Sequence, residues 1–444
     1  MQSTRLSLVA IAVVVVVGVV AFGGDAPLSR AGTAAVTTEA PSGDPTEAPS
    51  GDPTQEPIEA PTPTAEPLAD PIEAPTLTAE PRPTAEATAT AAPTPTPTAT
   101  PAPTPGVPAS DTLRLRRLAV IRGSISPKSV VATQTGLVFA QNMMYRHTMT
   151  VYNRSGQLVK TISDRVILLK YGYPTWPLAV RGSPVEAAVA PDGRHIYVSQ
   201  YSMYGPGFHH PGWDTGWVND VIDRSFVYEI DTTTLRITRV IRVGPVPKAV
   251  GVSPDGKWLL VGNWTHRDIS LVNLRTGREV KRIVVGGNPR GIAFAPDSSV
   301  VYLTAESGQR LMEYNFATGR LRTLIALLPG EPRHVVIDPT GRYLYASLNT
   351  RGQVVKIDLR LRRIVNRVTT GSNPRTIALA PDGRSPYVVN YESQTVAKVR
   401  TKDMLVIQRL RTAGVHPVGL TYENATRTIW VSCYRGTIER FADR

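Results

Sequence analysis

The stretch Pro247-Lys-Ala-Val-Gly-Val-Ser-Pro-Asp-Gly256 decides the fold, because the chain repeats its pattern seven times. In each copy a proline is followed, seven residues later, by a turn related to Pro-Asp-Gly. The copies begin at Pro127, Pro184, Pro247, Pro289, Pro332, Pro374 and Pro417, of which the first and last are degenerate. They are spaced by 57, 63, 42, 43, 42 and 43 residues. A period near 42 residues is typical of a four-stranded propeller blade, and the two longer intervals indicate insertions.

Each unit has the signals of short strands and lacks helical periodicity. The last unit ends at Arg444 after its third strand, whereas residues 113–121 form a strand that belongs to no unit. We expect these two ends to pair, so that the N-terminal strand supplies the missing outer strand of the last blade. The predicted fold class is therefore all-β, a seven-bladed β-propeller closed by an N-terminal strand.

One position of the repeat carries related tetrapeptides in six units. They are Tyr197-Val-Ser-Gln200, Leu260-Val-Gly-Asn263, Tyr302-Leu-Thr-Ala305, Tyr345-Ala-Ser-Leu348, Tyr387-Val-Val-Asn390 and Trp430-Val-Ser-Cys433. Together with the Pro-Asp-Gly turns and the Gly-x-x-Pro joints, they resemble the YVTN (YncE-like) β-propeller repeat over residues 113–444. The resemblance implies the propeller fold. It implies little about function, since that family includes binding proteins, surface-layer components and relatives of enzymes.

Residues 1–110 differ in composition from the rest of the chain. An uncharged, mostly aliphatic stretch, residues 6–24, is intermediate in length between a signal-peptide core and a membrane-spanning helix. We therefore expect residues 1–24 to be a signal peptide or a membrane anchor. Residues 25–110 hold 20 of the 39 prolines and no aromatic residue, which predicts a disordered Pro/Thr-rich acidic linker. The propeller would occupy residues 111–444 and be extracytoplasmic, either secreted or anchored at the cell surface.

The two parts of the chain also differ in charge. Residues 1–111 carry three arginines and 13 acidic side chains, which leaves 46 basic and 23 acidic side chains, a net charge of +23, for residues 112–444. A cationic domain favours an anionic polymer or glycan, such as a wall polymer, or nucleic acid as partner; a merely soluble Arg-rich surface is the alternative. Membrane contact would come from the N-terminal segment, and we expect the propeller to be monomeric.

A basic residue follows the first proline in five of the seven units. We call these residues the cation ring: Lys128, Lys248, Arg290, Arg333 and Arg375. In a propeller this position lies near the inner rim, where like charges repel, so a bound anion is a reasonable counterpart. His416 precedes Pro417, the first proline of the last unit, and is expected beside the ring. The alternative is that all of these are solvated loop residues.

The two insertions, at about residues 165–183 and 203–224, fall on the same face as the cation ring. We expect them to form one lid over one side of the channel mouth. The aromatic residues that we single out there are Trp176, Tyr204, Phe208, Trp213 and Trp217. Such rings either pack on one another as a structural lid or form a platform on which sugars or bases stack, and the sequence leaves both possibilities open.

The sequence has no recognisable catalytic motif. His209 and His210 lie near acidic residues but lack the spacing of metal ligands, and Cys433, the single cysteine, is expected to be buried and inert. We therefore predict no catalytic residues, no metal and no cofactor, and a non-enzymatic binding propeller for an anionic ligand. A propeller enzyme of the lactonase or quinoprotein type and a structural surface protein are the alternatives.

Overall fold

The computed structural model describes residues 108–444, apart from Tyr145 and Trp217. The described residues form seven four-stranded antiparallel sheets, one two-stranded sheet and two short 3-10 helices, Ser110–Thr112 and Leu168–Tyr171. The seven sheets are the blades of a β-propeller, which confirms the predicted fold class. Segment 1–24 and linker residues 25–107 lie outside the described residues. Among the described residues, no helix has the length and hydrophobicity needed to cross a membrane.

The strands follow the sequence repeat. Strand β1 is Leu115–Ile121. Blade 1 contains β2 (Pro127–Ala132), β3 (Leu137–Asn142), β4 (Thr148–Asn153) and β5 (Leu158–Ser163). The two-stranded sheet contains β6 (Val166–Ile167) and β7 (Ala179–Val180). Blade 2 contains β8 (Pro184–Val189), β9 (His195–Gln200), β10 (Phe226–Asp231) and β11 (Arg236–Arg242). Blade 3 contains β12 (Pro247–Val252), β13 (Trp258–Asn263), β14 (Asp268–Asn273) and β15 (Arg278–Val284).

The remaining strands complete the ring. Blade 4 contains β16 (Pro289–Phe294), β17 (Val300–Ala305), β18 (Arg310–Asn315) and β19 (Arg320–Ile325). Blade 5 contains β20 (Pro332–Ile337), β21 (Tyr343–Leu348), β22 (Gln353–Asp358) and β23 (Arg363–Thr369). Blade 6 contains β24 (Pro374–Leu379), β25 (Pro386–Asn390), β26 (Thr395–Arg400) and β27 (Leu405–Arg411). Blade 7 contains β28 (Pro417–Glu423), β29 (Thr428–Cys433) and β30 (Thr437–Asp443), to which β1 adds the outer strand.

The core lies between adjacent blades. Second strands are almost fully buried, as in β13, where Leu260 and Val261 have no exposed surface, because each is covered on both faces by neighbouring blades. Outer strands alternate between exposed and half-buried residues, as expected for a sheet edge with one covered face. Burial between blades therefore holds the wheel together, and the inner strands line its channel.

The Pro-Asp-Gly turns interlock around the ring. Gly383 has a φ of +70°, and a Cβ on it would lie 2.9 Å from Cδ of Pro339 in the turn of the preceding blade. Gly341 makes the same approach to Pro296. In blades 5 and 6 glycine thus suits the third turn position for two reasons, its left-handed backbone and its close neighbour, whereas in blade 4 Ser298 adopts the same left-handed conformation with a φ of +62°.

The two ends of the chain close the ring as predicted. Strand β1 pairs antiparallel with β30, with Leu115 opposite Asp443 and Ile121 opposite Ile438. The closure begins slightly before the expected domain start at residue 111, since Ser110 is buried and binds both carboxylate oxygens of Asp382 at 2.7 Å. The pairing gives blade 7 the same four strands as the other blades and covers the edge of β30 at the seam.

Candidate anion-binding site

The cation ring lies at one end of the central channel. All five of its side chains line a single cavity of about 410 Å³. Lys248 and Arg290 are only 5% and 6% exposed, so their charged groups are largely shielded from solvent. Charges of like sign that share a partly dry cavity repel each other more strongly than they would in bulk solvent.

Hydroxyl groups of neighbouring blades hold the backbone from which the ring projects. Ser199 Oγ donates to the carbonyl of Lys248 at 2.9 Å, and Ser347 Oγ donates to the carbonyl of Arg375 at 2.7 Å. In both cases the serine belongs to the second strand of the preceding blade. These two bonds between blades fix the backbone at Lys248 and Arg375 and so help to pre-organise the ring.

A second set of residues at this mouth was missed by the sequence reasoning. The residue directly after the second strand lines the same cavity in every blade, and in four blades it is aromatic. We call these four residues the aromatic collar: Tyr201, Trp264, Tyr391 and Tyr434. The sequence signal was available, because each follows directly after one of the related tetrapeptides.

The collar carries the cations on its ring faces. Nζ of Lys248 lies 3.6 Å from a ring centroid of Trp264, and Cζ of Arg375 lies 4.1 Å from that of Tyr391. Such cation–π contacts stabilise a positive charge that has lost part of its hydration. Since these ring faces already hold protein cations, the collar supports the cation ring more directly than it offers a stacking surface.

Three carboxylates neutralise part of the cation ring. Asp214 of the lid pairs with Lys248 at 2.8 Å. Glu186 and Glu306 flank Arg290 at 3.4 and 3.6 Å, and Glu306 is shared with a second arginine of the ring. Five cations against three carboxylates leave an excess of two positive charges among the residues that line the channel.

The excess charge is concentrated on Lys128 and Arg375. Neither has an ion pair with any residue that the structure describes, and Nε of Arg375 is buried without a hydrogen-bond partner there. Burial, followed by repulsion from the other four ring cations, lowers the pKa of Lys128 well below its ordinary value. Burial and Arg290 likewise lower the pKa of Arg375. These two side chains would gain most from a bound anion.

Lys248 is shifted in the same direction despite its carboxylate partner. Burial, together with the charge of Arg290, lowers the pKa of Lys248 to about 8, although Asp214 opposes the shift. Its charge therefore changes just above neutral pH, within a range that is easy to reach in an experiment.

Deeper in the channel, a cavity of about 170 Å³ contains Glu186 and His334. Burial lowers the pKa of His334 to about 4; the carboxylate of Glu186 opposes this shift, and Arg290 and Arg333 add to it. The imidazole is thus neutral at pH 7, and its Nδ1 accepts a hydrogen bond from the backbone N–H of Ile377 at 3.4 Å. A neutral imidazole, a carboxylate, three guanidinium groups and the ammonium group of Lys128 line this part of the channel.

The two insertions contact each other and form the lid. Several of its aromatic side chains pack inside the protein instead of facing solvent. Trp176 stacks on Phe208 with ring centroids 5.3 Å apart and an angle of 11°, and both rings pack edge-on against Phe226 of β10. The hydroxyl of Tyr173 donates to the carbonyl of Val240 in β11 at 3.1 Å. For Trp176 and Phe208 this packing favours the structural lid over the ligand platform.

The other lid residues stand closer to solvent. Trp213 is 45% exposed, and Tyr204 is 39% exposed with its ring edge-on to His147. Trp217 lies outside the described residues. The lid reaches the channel through Asp214, which also accepts a hydrogen bond from the hydroxyl of Tyr201 at 2.6 Å. A carboxylate, rather than an aromatic ring, is thus the described contact from the lid to the cation ring.

His416 lies beside the ring, as its position in the repeat implies. Its imidazole stacks on Tyr391 with centroids 4.4 Å apart and an angle of 8°, on the same aromatic ring that contacts Arg375. Glu392 lies 3.9 Å from its Nε2. His416 therefore supports the mouth through Tyr391.

The environments of the remaining candidates, His209, His210 and Cys433, indicate structural roles. The backbone N–H groups of His209 and His210 both donate to Asp223 at 2.7 Å, and no group of three or more His, Cys, Asp or Glu among the described residues is placed to hold a metal ion. Cys433 is fully buried, and burial, with Glu439 nearby, raises the pKa of its thiol to about 12. A thiol with such a pKa is a poor nucleophile at neutral pH.

The fold and the site define a seven-bladed β-propeller with a cationic channel mouth. Residues 274–406 match the sequence model of the family described as "Lactonase, 7-bladed beta-propeller". This segment covers β15, blades 4 and 5 and most of blade 6, and thus includes Arg290, Arg333 and Arg375 but neither lysine of the ring.

Two curated proteins are similar to parts of the chain. Antigen Lp49 of Leptospira interrogans serogroup Icterohaemorrhagiae serovar copenhageni (strain Fiocruz L1-130) is 27% identical over 180 residues, which is 39% of this chain and 39% of that protein. Hydrazine synthase subunit beta of Kuenenia stuttgartiensis is 29% identical over 225 residues, covering 39% of this chain and 58% of that protein. The matches span less than two thirds of either relative.

Proposed function

We propose that this protein is an extracytoplasmic binding propeller that holds an anionic ligand at the cation ring. The observation that carries the proposal is the charge excess at the mouth, where Lys128 and Arg375 lack carboxylate partners among the described residues. Protein interiors normally pair their charges, because an unpaired buried charge is costly. A ligand that brings one or more acidic groups would supply the missing partners.

The geometry narrows the kind of anion. Because the ring is recessed in a cavity of about 410 Å³, we propose that one acidic group or chain end enters it, on a wall polymer, a glycan or a nucleic acid. Export of the domain follows from the composition of residues 1–24 and is part of the proposal. The assignment to the YVTN repeat likewise remains a prediction from the tetrapeptides.

The direct test is calorimetric titration of the protein with sulfate and with pyrophosphate. Replacing both Lys128 and Arg375 by Met should weaken binding at least tenfold, because each charged hydrogen bond contributes roughly 1.5–3 kcal/mol. The control is the pair Arg278→Met and Arg320→Met, two exposed arginines on outer strands, which removes the same charge elsewhere. Equal affinity in all three proteins would refute the proposal.

A second candidate is lactone hydrolysis, which the family match and the neutral His334 beside Glu186 favour. A neutral imidazole and a carboxylate can move a proton, while arginines can stabilise the oxyanion of an opening ester. Simple γ- and δ-lactones should then be opened faster by the protein than by its His334→Ala variant. Identical rates, at the uncatalysed level, would eliminate this candidate and leave the binding proposal intact.

A further inference from the structure

The residue two positions after the first proline of each unit forms a second tier of the channel, next to the cation ring. Only two of the seven residues at this position ionise, Glu186 in blade 2 and His334 in blade 5. Both line the deeper cavity of about 170 Å³, together with four of the five ring cations. A cavity of this size is smaller than the roughly 300–1,000 Å³ of sites for drug-sized ligands, so it suits a small ion.

Glu186 differs from the other two carboxylates near the ring. In the mouth cavity, Asp214 and Glu306 each accept a hydrogen bond from a neighbouring side chain, at 2.6 and 3.4 Å. Glu186 lies 3.4 Å from Nη1 of Arg290, but no residue that the structure describes donates a hydrogen bond to its carboxylate. That Nη1 is itself buried without a hydrogen-bond partner there. The Glu186 side chain is 26% exposed and lines the deeper cavity, so its oxygens are open to a ligand.

Glu186 and His334 have complementary hydrogen-bonding capacities at pH 7. Burial alone would raise the pKa of Glu186, but the charges of Arg290 and Lys128 lower it below its ordinary value, so the carboxylate is ionised and only accepts hydrogen bonds. The imidazole of His334 is neutral, and its Nδ1 accepts from the backbone of Ile377. Its proton is therefore on Nε2, which has no partner among the described residues and can donate to a ligand.

This pattern of donors and acceptors restricts the kind of anion. A ligand in the deeper cavity must accept hydrogen bonds from the cations and donate one to Glu186. Hydrogen phosphate does both, because it keeps one proton at neutral pH. Sulfate has the same shape and a similar charge but carries no proton, so one of its oxygens would face the carboxylate of Glu186 and be repelled by it.

We propose that the deeper cavity binds a phosphate group that still carries a proton, in preference to fully ionised oxyanions such as sulfate. Arg333, Arg375 and Nε2–H of His334 donate to the unprotonated oxygens, and the remaining O–H of the phosphate donates to Glu186. The inference rests on the proposed anion site, because the cation ring supplies the positive charge. It adds the identity of the anion that this site prefers.

The test is a ratio of affinities, measured by calorimetry on the full chain at pH 7.5. Inorganic phosphate should bind at least tenfold more tightly than sulfate, because one charge-assisted hydrogen bond changes an affinity by roughly 10- to 100-fold. Arsenate keeps a proton and should behave like phosphate, whereas selenate has none and should behave like sulfate. Equal affinities for the four anions would show that Glu186 is only a counter-charge and would overturn the inference.

Two variants assign the preference to one carboxylate. In Glu186→Gln the ratio of phosphate to sulfate affinity should fall close to one, because the amide of glutamine can donate to sulfate. Glu306→Gln is the matched control, since it removes the same charge from the mouth cavity. It should strengthen the binding of both anions alike and leave the ratio unchanged. An unchanged ratio in Glu186→Gln, or the same change in both variants, would refute the role of Glu186.

The inference and the proposed function fail in different ways. Sulfate binding that depends on Lys128 and Arg375, without a preference for phosphate, would overturn the inference alone. A parent protein that binds neither anion would overturn both.

Glycerol phosphate distinguishes a free phosphate ion from a phosphate at the end of a polymer, because a phosphomonoester loses its remaining proton near pH 6. If the ligand is a chain end, glycerol phosphate should bind about as tightly as inorganic phosphate at pH 5.5 and roughly tenfold more weakly than it at pH 7.5. If only the free ion fits, glycerol phosphate should bind weakly at both pH values. Binding as tight as that of inorganic phosphate at pH 7.5 would contradict recognition of the proton.

Discussion

The seam of the wheel and the mouth of its channel both bury lysines, and they treat the charge in opposite ways. At the seam, the ammonium group of Lys398 has no exposed surface and is bound by the carboxylate of Asp443 and, at 2.9 Å, by the carbonyl of Leu113. The same carboxylate accepts a hydrogen bond from Tyr387. At the mouth, Lys128 lies among four other cations and has no described ion pair.

The comparison distinguishes a buried charge that stabilises the fold, at the seam, from a charge that is available to bind a ligand, at the mouth. The seam groups come from blade 6, from β30 and from the residues before β1, so their hydrogen bonds join the three segments that must meet when the ring closes. A satisfied polar network of this kind specifies one arrangement of the chain. A cation without a counter-charge in the protein does not help to specify the arrangement of the chain. It remains available to bind an anionic ligand.

The largest expected effect is at the seam. Asp443→Ala should lower the free energy of unfolding by about 3–5 kcal/mol, because it leaves Lys398 buried without a counter-charge. Urea denaturation followed by tryptophan fluorescence measures this loss. The double variant Lys398→Met with Asp443→Leu, which removes both charges, should recover a large part of the stability. A single variant as stable as the parent would show that the pair does not hold the seam.

A smaller effect, on affinity, is expected from pH. Because the pKa of Lys248 is lowered to about 8, its charge is present at pH 7 and mostly lost at pH 9. Sulfate keeps its charge over this range, so its affinity should fall up to roughly tenfold as the pH rises from 7 to 9. In the Lys128→Met, Lys248→Met double variant the affinity should be low at both values. An affinity that rises with pH in the parent protein would contradict the assignment.

The smallest expected effect is a change in the free energy of unfolding at the channel mouth. Its sign is opposite to that of the change expected at the seam. Lys128→Met should raise the free energy of unfolding at pH 7 by about 1 kcal/mol, because a repelled and partly buried charge is replaced by an apolar side chain of similar length. The lowered pKa of Lys128 means that the unfolded chain binds its proton more tightly, so the gain should shrink as the pH rises toward 10. Thermal unfolding at pH 7 and 9.5 tests both points, and a destabilised variant would mean that Lys128 has a stabilising partner.

Much of the architecture was readable from the repeat. The seven repeated prolines predicted the seven blades, and the unpaired strand at residues 113–121 predicted the closure of the ring. Both predictions depend only on spacing along the chain and on the rule that a blade needs four strands. The position of the cation ring followed from the same register. The aromatic collar has an equally regular position, directly after the related tetrapeptides, so its signal is also present in the sequence.

The tertiary structure alone decided what each of these residues contacts. No spacing rule placed Asp214 of the lid against Lys248, stacked Trp176 on Phe208 or joined Lys398 to Asp443, since these partners lie on different loops and blades. The amino-acid sequence by itself determined a closed wheel with basic residues at one end of its channel, because a repeat fixes the local geometry of every blade. Which of those charges are neutralised, and which are left for a ligand, depends on contacts between distant segments that form only when the ring is closed.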